Sequence, residues 1–270
     1  MSAGAKDRWD SGDSYERYIG RWSRRVALDF VAWLACPPGS TWLDVGCGTG
    51  ALSAAVLDRA QPAIVHAVEP SDEFRKSARA NLGERATVLA GDAASIPLGD
   101  ASVDAVVSGL VLNFVPDGGA ALAEMKRVTR AGGTLAGYVW DYAGKMEFLR
   151  AFWDAAIATD PDSRALDEAP RFPLCAPGPL RTMFESAALA DVDVRAIDVA
   201  TAFATFDELW QPFLGGQGPA PTYVASRNDE GRQRLRDELR ARVPIAADGS
   251  ISLMARAWAV RGKVTGRPGL

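Results

Sequence analysis

The sequence of 270 residues predicts an α/β fold in which helices cover a doubly wound, mostly parallel sheet. A short apolar segment, residues 41–45, runs directly into a turn with three glycines, Gly46, Gly48 and Gly50. A segment of good helix formers, residues 51–60, follows at once. Doubly wound sheets hold nucleotide-like cofactors at such a turn, because glycine permits positive φ and close approach of a ligand, and the helix N-terminus attracts an anionic group.

Other apolar segments supply the remaining strands and helices. We expect strands at residues 63–69, 86–90, 134–140, 192–199 and 252–264, and one more that ends at residue 108. We expect helices at residues 24–34, 117–130, 146–157, 179–189 and 229–242. The second strand is a near-continuous apolar run, which is typical of a parallel strand buried on both faces. The last strand is expected to lie antiparallel at the edge of a seven-stranded sheet.

The composition limits the classes of partner. The formal net charge is −4 and nearly half of the residues are hydrophobic, so a large core can form. An acidic chain lacks the excess of positive charge on which general nucleic-acid binding depends, so we expect no nucleic-acid partner. The three cysteines, Cys36, Cys47 and Cys175, are too far apart to indicate a zinc site or a disulfide framework. We expect them to be small buried hydrophobic residues, and we expect no metal.

The first residues and the hydropathy pattern predict location. The N-terminal segment is polar and lacks the apolar core of a signal peptide. No apolar run approaches the roughly 20 residues that cross a membrane. We therefore expect a soluble, cytoplasmic protein with no membrane partner.

The glycine spacing leaves the cofactor open. Gly46, Gly48 and Ala51 fit the loose dinucleotide pattern G-x-G-x-x-G/A, and a glycine turn without a ligand is a further alternative. Asp44 extends the pattern to D-x-G-x-G-x-G. The stretch LDVGCGTG resembles motif I of the class I S-adenosylmethionine (SAM) dependent methyltransferases. This resemblance implies a Rossmann-like fold with SAM as cofactor and S-adenosylhomocysteine as product.

The resemblance also implies a set of cofactor-binding residues. Glu69 ends the second strand, about 20 residues past the glycine turn, where an acid can accept hydrogen bonds from ribose hydroxyls. Asp92 would accept from the exocyclic amine of adenine, and the amide of Ala93 would donate to the ring. The alternatives are a surface role for Glu69 and a helix N-cap for Asp92. The other predicted cofactor residues are Asp44, Gly46, Cys47, Gly48, Gly50, Pro70, Ser71, Gly91 and Ser108.

The segment before the first strand resembles a lid over the cofactor. Arg21 could meet the methionine carboxylate of SAM, and Trp22 could close the cofactor pocket. Tyr15 and Tyr18 are expected at the substrate. The alternative is a surface helix that is packed through its aromatic side chains.

Acceptor and catalytic residues are expected at strand ends. Asn113 and Phe114 stand where many relatives carry paired histidines, with a packed helix start as the alternative. Asp141 is the best-placed candidate for a general base, and Tyr142 stands behind it. Trp140 and Trp210 complete the predicted acceptor site. His66, the only histidine, lies within a strand and is expected to be structural.

We expect the domains to alternate between a core and insertions. The predicted segments are lid helices at 1–40, a SAM-binding core at 41–142, a cap insertion at 143–178, the core again at 179–202, a second cap insertion at 203–249, and the final strand and tail at 250–270. The aromatic residues of the two insertions could line an apolar pocket, which we favour slightly, or form a small separate core.

The resemblance implies a methyltransferase (EC 2.1.1.-) that moves a methyl group to the O, N or C atom of a small-molecule acceptor by in-line displacement. An NAD-dependent oxidoreductase and a non-catalytic SAM-binding protein are the alternatives. A homodimer is an option that the sequence leaves open.

Overall fold

The computed structural model describes residues 20–215 and 218–265. The chain divides into two compact units. Among the described residues, the core unit comprises 23–140, 174–197 and 257–265, and the insert unit comprises 20–22, 141–173, 198–215 and 218–256. The predicted borders after residues 142, 178 and 202 stay predictions. The predicted functions of these segments as lid and cap stay predictions.

The sheet has seven strands in the order β3-β2-β1-β4-β5-β7-β6. The strands are β1 (Thr41–Val45), β2 (Ile64–Glu69), β3 (Thr87–Ala90), β4 (Val103–Gly109), β5 (Thr129–Trp140), β6 (Leu189–Phe203) and β7 (Ile251–Val264). Strands β1 to β5 pair in parallel, and β7 pairs with β5 in the antiparallel direction. The predicted seven-stranded, doubly wound sheet with an antiparallel last strand is therefore confirmed. The predicted edge position of this strand is wrong, because β7 lies between β5 and β6, and β6 forms the edge.

Ten α-helices occur in the described part of the chain. They are α1 (Arg21–Leu34), α2 (Ala51–Arg59), α3 (Asp72–Leu82), α4 (Gly118–Val128), α5 (Glu147–Thr159), α6 (Glu168–Arg171), α7 (Pro177–Ser186), α8 (Phe206–Trp210), α9 (Pro219–Ala225) and α10 (Asp229–Arg242). Side chains begin two of the core helices, because Ser71 accepts from the amide of Phe74 and Asp117 accepts from the amide of Ala120. No helix among the described residues is long and apolar enough to cross a membrane.

The start of β5 differs from the prediction. Helix α4 ends at Val128, and the strand begins at once with Thr129, which pairs with Val103. The sequence predicts a helix to residue 130 and a closing turn at 131–133. Gly132 has a φ of 77° and the register shifts between Val103 and Ala105, so the irregular start of the strand accommodates the glycines that look like a turn.

The insert unit has a core of its own. The ring of Phe152 stacks on Phe213 with centroids 4.4 Å apart, and Trp153 contacts both Phe152 and Tyr223. These side chains are buried. The arrangement matches the second expectation for the insertions, a separate aromatic core, because the rings pack against one another.

Candidate functional site

The three glycines of the turn after β1 all have left-handed backbone angles. The values of φ are 74° at Gly46, 53° at Gly48 and 90° at Gly50. A Cβ atom at Gly46 would lie 2.7 Å from Val111, and one at Gly50 would lie 2.9 Å from Leu82. At Gly48 a Cβ atom would meet nothing within 4 Å. The turn is therefore tightly packed at its two ends and open at its middle, where a ligand can reach the backbone.

Glu69 fastens this turn to the end of β2. Its Oε2 accepts from the amide of Gly48 at 3.0 Å, and its Oε1 accepts from the amide of Ser71 at 2.9 Å. The residue is only 7% exposed, so the alternative of a surface glutamate is wrong. Each carboxylate oxygen can accept more than one hydrogen bond, so the group can hold the turn and still accept from ligand hydroxyls.

Asp44, at the other side of the turn, is under-partnered. Its Oδ2 accepts from the hydroxyl of Ser53 at 2.7 Å, while its Oδ1 is buried and has no hydrogen-bond partner among the described residues. Burial raises the pKa of this carboxyl group to about 7. A ligand that brings a cation or a donor to Asp44 would relieve this cost. The sequence analysis overlooked Ser53, although a serine in the first turn of the following helix is a visible candidate partner.

Cys47 fills the space below the turn. It is buried together with Ala67, Ala78, Leu82 and Val88. Burial raises the pKa of its thiol far above the usual range. The expectation of a small buried hydrophobic residue is therefore confirmed for Cys47, and any contact with a cofactor would come from its backbone.

Asp92 follows β3 and is exposed. Its Oδ1 accepts from the amide of Ala94 at 2.8 Å, and its Oδ2 makes no hydrogen bond among the described residues. Residues 92–95 form a turn that an isolated bridge to Ser95 closes, and no helix begins there. The helix N-cap alternative for Asp92 is therefore wrong. The contacts of Asp92, Gly91 and Ala93 with adenine stay predictions.

Three other predicted cofactor residues have structural contacts. Ser108 is fully buried and donates to the carbonyl of Val45 at 2.9 Å, which fixes β4 to β1. Ser71 caps helix α3, as predicted from the sequence, and the carbonyl of Pro70 accepts from Arg75 at 2.6 Å. Their contacts with a cofactor stay predictions.

The segment after β4 lies against the glycine turn through Val111, the residue that a Cβ atom at Gly46 would meet. Leu110 has a φ of 62°, which is unusual for a residue with a side chain. In the short 3₁₀-helix that follows, the Nδ2 atom of Asn113 is buried without a partner among the described residues. Phe114 is 41% exposed, so the packed alternative is wrong for this side chain. The substrate contacts of Asn113 and Phe114 stay predictions.

The residues at the end of β5 have structural contacts. The two carboxylate oxygens of Asp141 accept from the amides of Gly144 and Lys145, each at 3.0 Å, and so hold the turn after the strand. The predicted catalytic function of Asp141 stays a prediction. Trp140 and Tyr142 are buried, and the ring of Tyr142 lies 5.7 Å from that of Phe172. No contact supports their predicted catalytic or substrate roles, which stay predictions.

The predicted lid residues that the structure describes belong to the insert unit. Trp22 is buried against Phe148 and Phe203, with centroids 4.8 and 5.3 Å apart, which matches the alternative of aromatic packing. Arg21 donates to Glu208 at 2.7 Å. Trp210 is buried with its centroid 6.1 Å from Phe213. The ligand contacts of Arg21, Trp22 and Trp210 stay predictions, and Tyr15 and Tyr18 lie outside the described residues.

Titratable side chains do not gather into a metal site in the part of the chain that the structure describes. No group of three or more His, Cys, Asp and Glu residues there could hold a metal ion.

The strand order and the turn after β1 define a class of α/β proteins that bind a nucleotide-like cofactor at the carboxyl ends of their strands. A family profile described as "Methyltransferase domain" matches residues 43–137. Demethylmenaquinone methyltransferase of Staphylococcus aureus is 30% identical over 204 residues, which cover 70% of this chain and 82% of that protein. The chain belongs to the SAM-dependent methyltransferase family.

A further relative is also a methyltransferase, and solved structures share the fold. An uncharacterized methyltransferase of Geobacillus sp. (strain WCH70) is 29% identical over 160 residues, which cover 56% of this chain and 73% of that protein. Among solved structures, the YcgJ protein of Bacillus subtilis has a TM-score of 0.56 at 17% identity and covers 90% of this chain and all of that one. Phosphoethanolamine N-methyltransferase 2 of Haemonchus contortus, in complex with S-adenosylhomocysteine, also has a TM-score of 0.56 at 13% identity, over 94% of this chain and 58% of that one. At these identities the solved structures show the fold alone.

Proposed function

We propose that this protein binds SAM at the glycine turn and transfers its methyl group to a small-molecule acceptor. The observation that carries the proposal is the open middle of the turn at Gly48, pinned by Glu69 and flanked by the under-partnered Asp44. Together these groups offer an exposed backbone, an acceptor for hydroxyls and a buried anion. These groups complement the ribose hydroxyls and the ammonium group of a nucleoside that is joined to an amino acid, such as SAM.

Each side chain then has an assigned function. Glu69 would accept from the ribose hydroxyls, Asp92 would accept from the adenine amine through its Oδ2, and Asp44 would stabilise the ammonium group of the methionine part. When bound, SAM supplies a methyl group on a positively charged sulfur, which a nucleophile displaces. The protein contributes mainly by orienting the nucleophile and excluding water.

The protein would promote the reaction mainly by orienting the acceptor and SAM. The turn and the carboxyl end of β4 are fixed by Glu69, by the Ser108 hydroxyl and by close packing at Gly46. An acceptor that arrives with a lone pair needs no base, whereas a protonated one does. Asp141 stays the proposed base for such an acceptor, because each of its oxygens accepts from one backbone amide and can accept a further hydrogen bond.

For the acceptor we propose demethylmenaquinone as the first compound to test. This choice is supported by the name of the Staphylococcus aureus relative, which aligns with 70% of this chain. The NAD-dependent alternative is not favoured, because the family assignment accounts for the glycine turn. The non-catalytic alternative differs from the proposal only in turnover.

The test is transfer of a labelled methyl group from SAM to demethylmenaquinone that has been reduced to its quinol, so that the ring carbon gains the methyl group and loses a proton. Formation of S-adenosylhomocysteine is a second readout. At a SAM concentration below its dissociation constant, we expect label in the product with the natural chain, much less label with Glu69→Ala, and normal transfer with Glu73→Ala, an exposed control in helix α3. Binding of SAM without transfer to this or any other acceptor offered would favour the non-catalytic alternative. Absence of SAM binding would contradict the proposal.

A further inference from the structure

The guanidinium group of Arg21 in the insert unit is held from several directions. Its Nη1 donates to Oε1 of Glu208 at 2.7 Å, and Oε2 of that glutamate accepts from the amide of Ala204 at 2.7 Å. Its Cζ lies 4.6 Å from the ring centroid of Trp22 and 5.0 Å from that of Phe203. The position and the plane of the group are therefore fixed.

The remaining edge of this guanidinium has donors without acceptors. The Nε and Nη2 atoms are buried and have no hydrogen-bond partner among the described residues. These two nitrogens lie on one side of the planar group, and their N–H bonds are parallel. This is the edge that binds both oxygens of a carboxylate at once. The buried donors have lost water without gaining a partner, which calls for an explanation.

A second arginine in the same unit shows that an ion pair and a ring contact do not by themselves leave guanidinium nitrogens buried and unpartnered. Arg236 donates to Asp207 at 2.6 Å, and its Cζ lies 5.3 Å from the ring centroid of Phe206. Its side chain is 29% exposed, close to the 35% of Arg21. Yet within residues 20–215 and 218–265, Arg21 is the arginine with buried, unpartnered side-chain nitrogens.

We propose that the Nε–Nη2 edge of Arg21 binds the carboxylate group of a small organic acid with an apolar part. This inference goes beyond the proposed function and does not depend on it. It departs from the expectation that Arg21 meets the methionine carboxylate of SAM. Glu208 already neutralises the arginine on its other edge, so a group with a single negative charge fits better than a phosphate dianion.

The first experiment measures binding of benzoate and of benzamide, its neutral isostere, to the natural chain, to Arg21→Lys and to the matched control Arg236→Lys. We expect the natural chain to prefer benzoate and Arg21→Lys to weaken benzoate binding about fivefold or more, because lysine keeps the charge but loses the paired donors. Benzamide binding and the Arg236→Lys variant should show no such change. Equal weakening in both variants, or no saturable benzoate binding by the natural chain, would overturn the proposal. Circular dichroism and the Tm of each variant verify folding.

The second experiment separates a small organic acid from the cofactor, since S-adenosylhomocysteine also carries a carboxylate. The affinity for S-adenosylhomocysteine is compared with that for 5′-methylthioadenosine, which lacks the amino acid part. We expect Arg21→Lys to bind both compounds as the natural chain does. A selective loss of S-adenosylhomocysteine binding would assign the edge to the cofactor and overturn the proposal. Failure of the natural chain to bind S-adenosylhomocysteine, together with Arg21-dependent benzoate binding, would reject methyl transfer but retain the carboxylate site.

Discussion

Each of the two units buries an acid whose pKa is raised to about 7, and the two acids differ in their hydrogen-bond partners. Asp44 in the core unit has one carboxylate oxygen without a hydrogen-bond partner among the described residues, and it lies beside the glycine turn. Glu168 in the insert unit accepts from the indole of Trp153, next to the ion pair between Asp167 and Arg150. The first acid lies in an environment that a ligand can complete, and the second belongs to a core that is complete within its own unit. Raised pKa values alone therefore do not distinguish a binding group from a structural one, whereas unpartnered atoms and an open backbone do.

The largest expected effect concerns the backbone of the glycine turn. Gly46→Ala should destabilise the protein by about 2–5 kcal/mol, because a left-handed φ costs about 1–2 kcal/mol and the clash with Val111 adds about 1–3 kcal/mol. Gly39→Ala is a matched control, since its φ of 78° is close to the 74° of Gly46 and its Cβ atom would meet nothing within 4 Å. Urea unfolding of both variants measures the difference. Equal losses would show that Val111 does not constrain the turn.

A second prediction concerns the pH dependence that Glu168 confers. Its pKa in the folded state is raised from 4.5 to about 7, with desolvation by burial as the main cause. The folded state therefore binds more protons than the unfolded state in this window, and stability falls as the pH rises through it. Glu168→Gln removes this dependence, so the variant should gain about 3 kcal/mol relative to the natural chain between pH 4.5 and 8.

Unfolding midpoints at several pH values test this difference. Glu230→Gln, on an exposed face of helix α10, is the control and should show a constant difference from the natural chain. Glu168→Gln should leave the affinity for S-adenosylhomocysteine unchanged. A constant stability difference for Glu168→Gln, or a loss of cofactor affinity, would break the contrast between the two acids.

Removal of Glu69 should weaken S-adenosylhomocysteine binding by about 1–3 kcal/mol, because the amide of Gly48 loses its acceptor and the turn loses its anchor. Glu73→Ala, in the first turn of helix α3, is the control and should bind S-adenosylhomocysteine as the natural chain does. Calorimetric titration measures both affinities. Unchanged affinity in Glu69→Ala would contradict the placement of the cofactor at this turn.

Asp44→Asn should change the pH dependence of cofactor binding. In the natural chain the affinity for S-adenosylhomocysteine should rise about tenfold from pH 6 to 8, because ionised Asp44 attracts the ligand ammonium group. The asparagine variant keeps a partner for Ser53 but has no charge, so its affinity should be nearly constant over this range. A parallel rise in both proteins would assign the effect to another group.

The smallest effect is expected at Asp92. Because its carboxylate is exposed and can be replaced by water, Asp92→Ala should cost about 1 kcal/mol of affinity for S-adenosylhomocysteine. Asp100→Ala, an exposed acid in the next loop, serves as the control. A loss as large as that of Glu69→Ala would show that bound adenine shields Asp92 from water.

The core unit could be predicted from the sequence because its signals are local. The apolar run of β1, the glycine turn and the helix after it are consecutive, and the acid that ends β2 follows at the expected distance. The start of β5 was missed because the glycines after Thr129 look like a turn, while pairing with Val103 draws them into a strand. Here tertiary pairing overrides local preference.

The side-chain roles were harder to predict because they depend on contacts between distant residues. Arg21 and Glu208 are 187 residues apart in sequence, and Trp153 and Glu168 are 15 residues apart. The position of Asp141 after a strand predicts a base, but it does not predict that both carboxylate oxygens accept from backbone amides of the next turn. A sequence pattern indicates which residues reach a region, whereas hydrogen-bond partners decide what those residues do there.

The measurement that tests the central claim most directly is calorimetric titration of the purified protein with S-adenosylhomocysteine, with NAD as the parallel control. We predict micromolar binding of S-adenosylhomocysteine, at one site per chain, and no binding of NAD. Binding of NAD alone, or of neither compound, would contradict the assignment of the glycine turn to SAM.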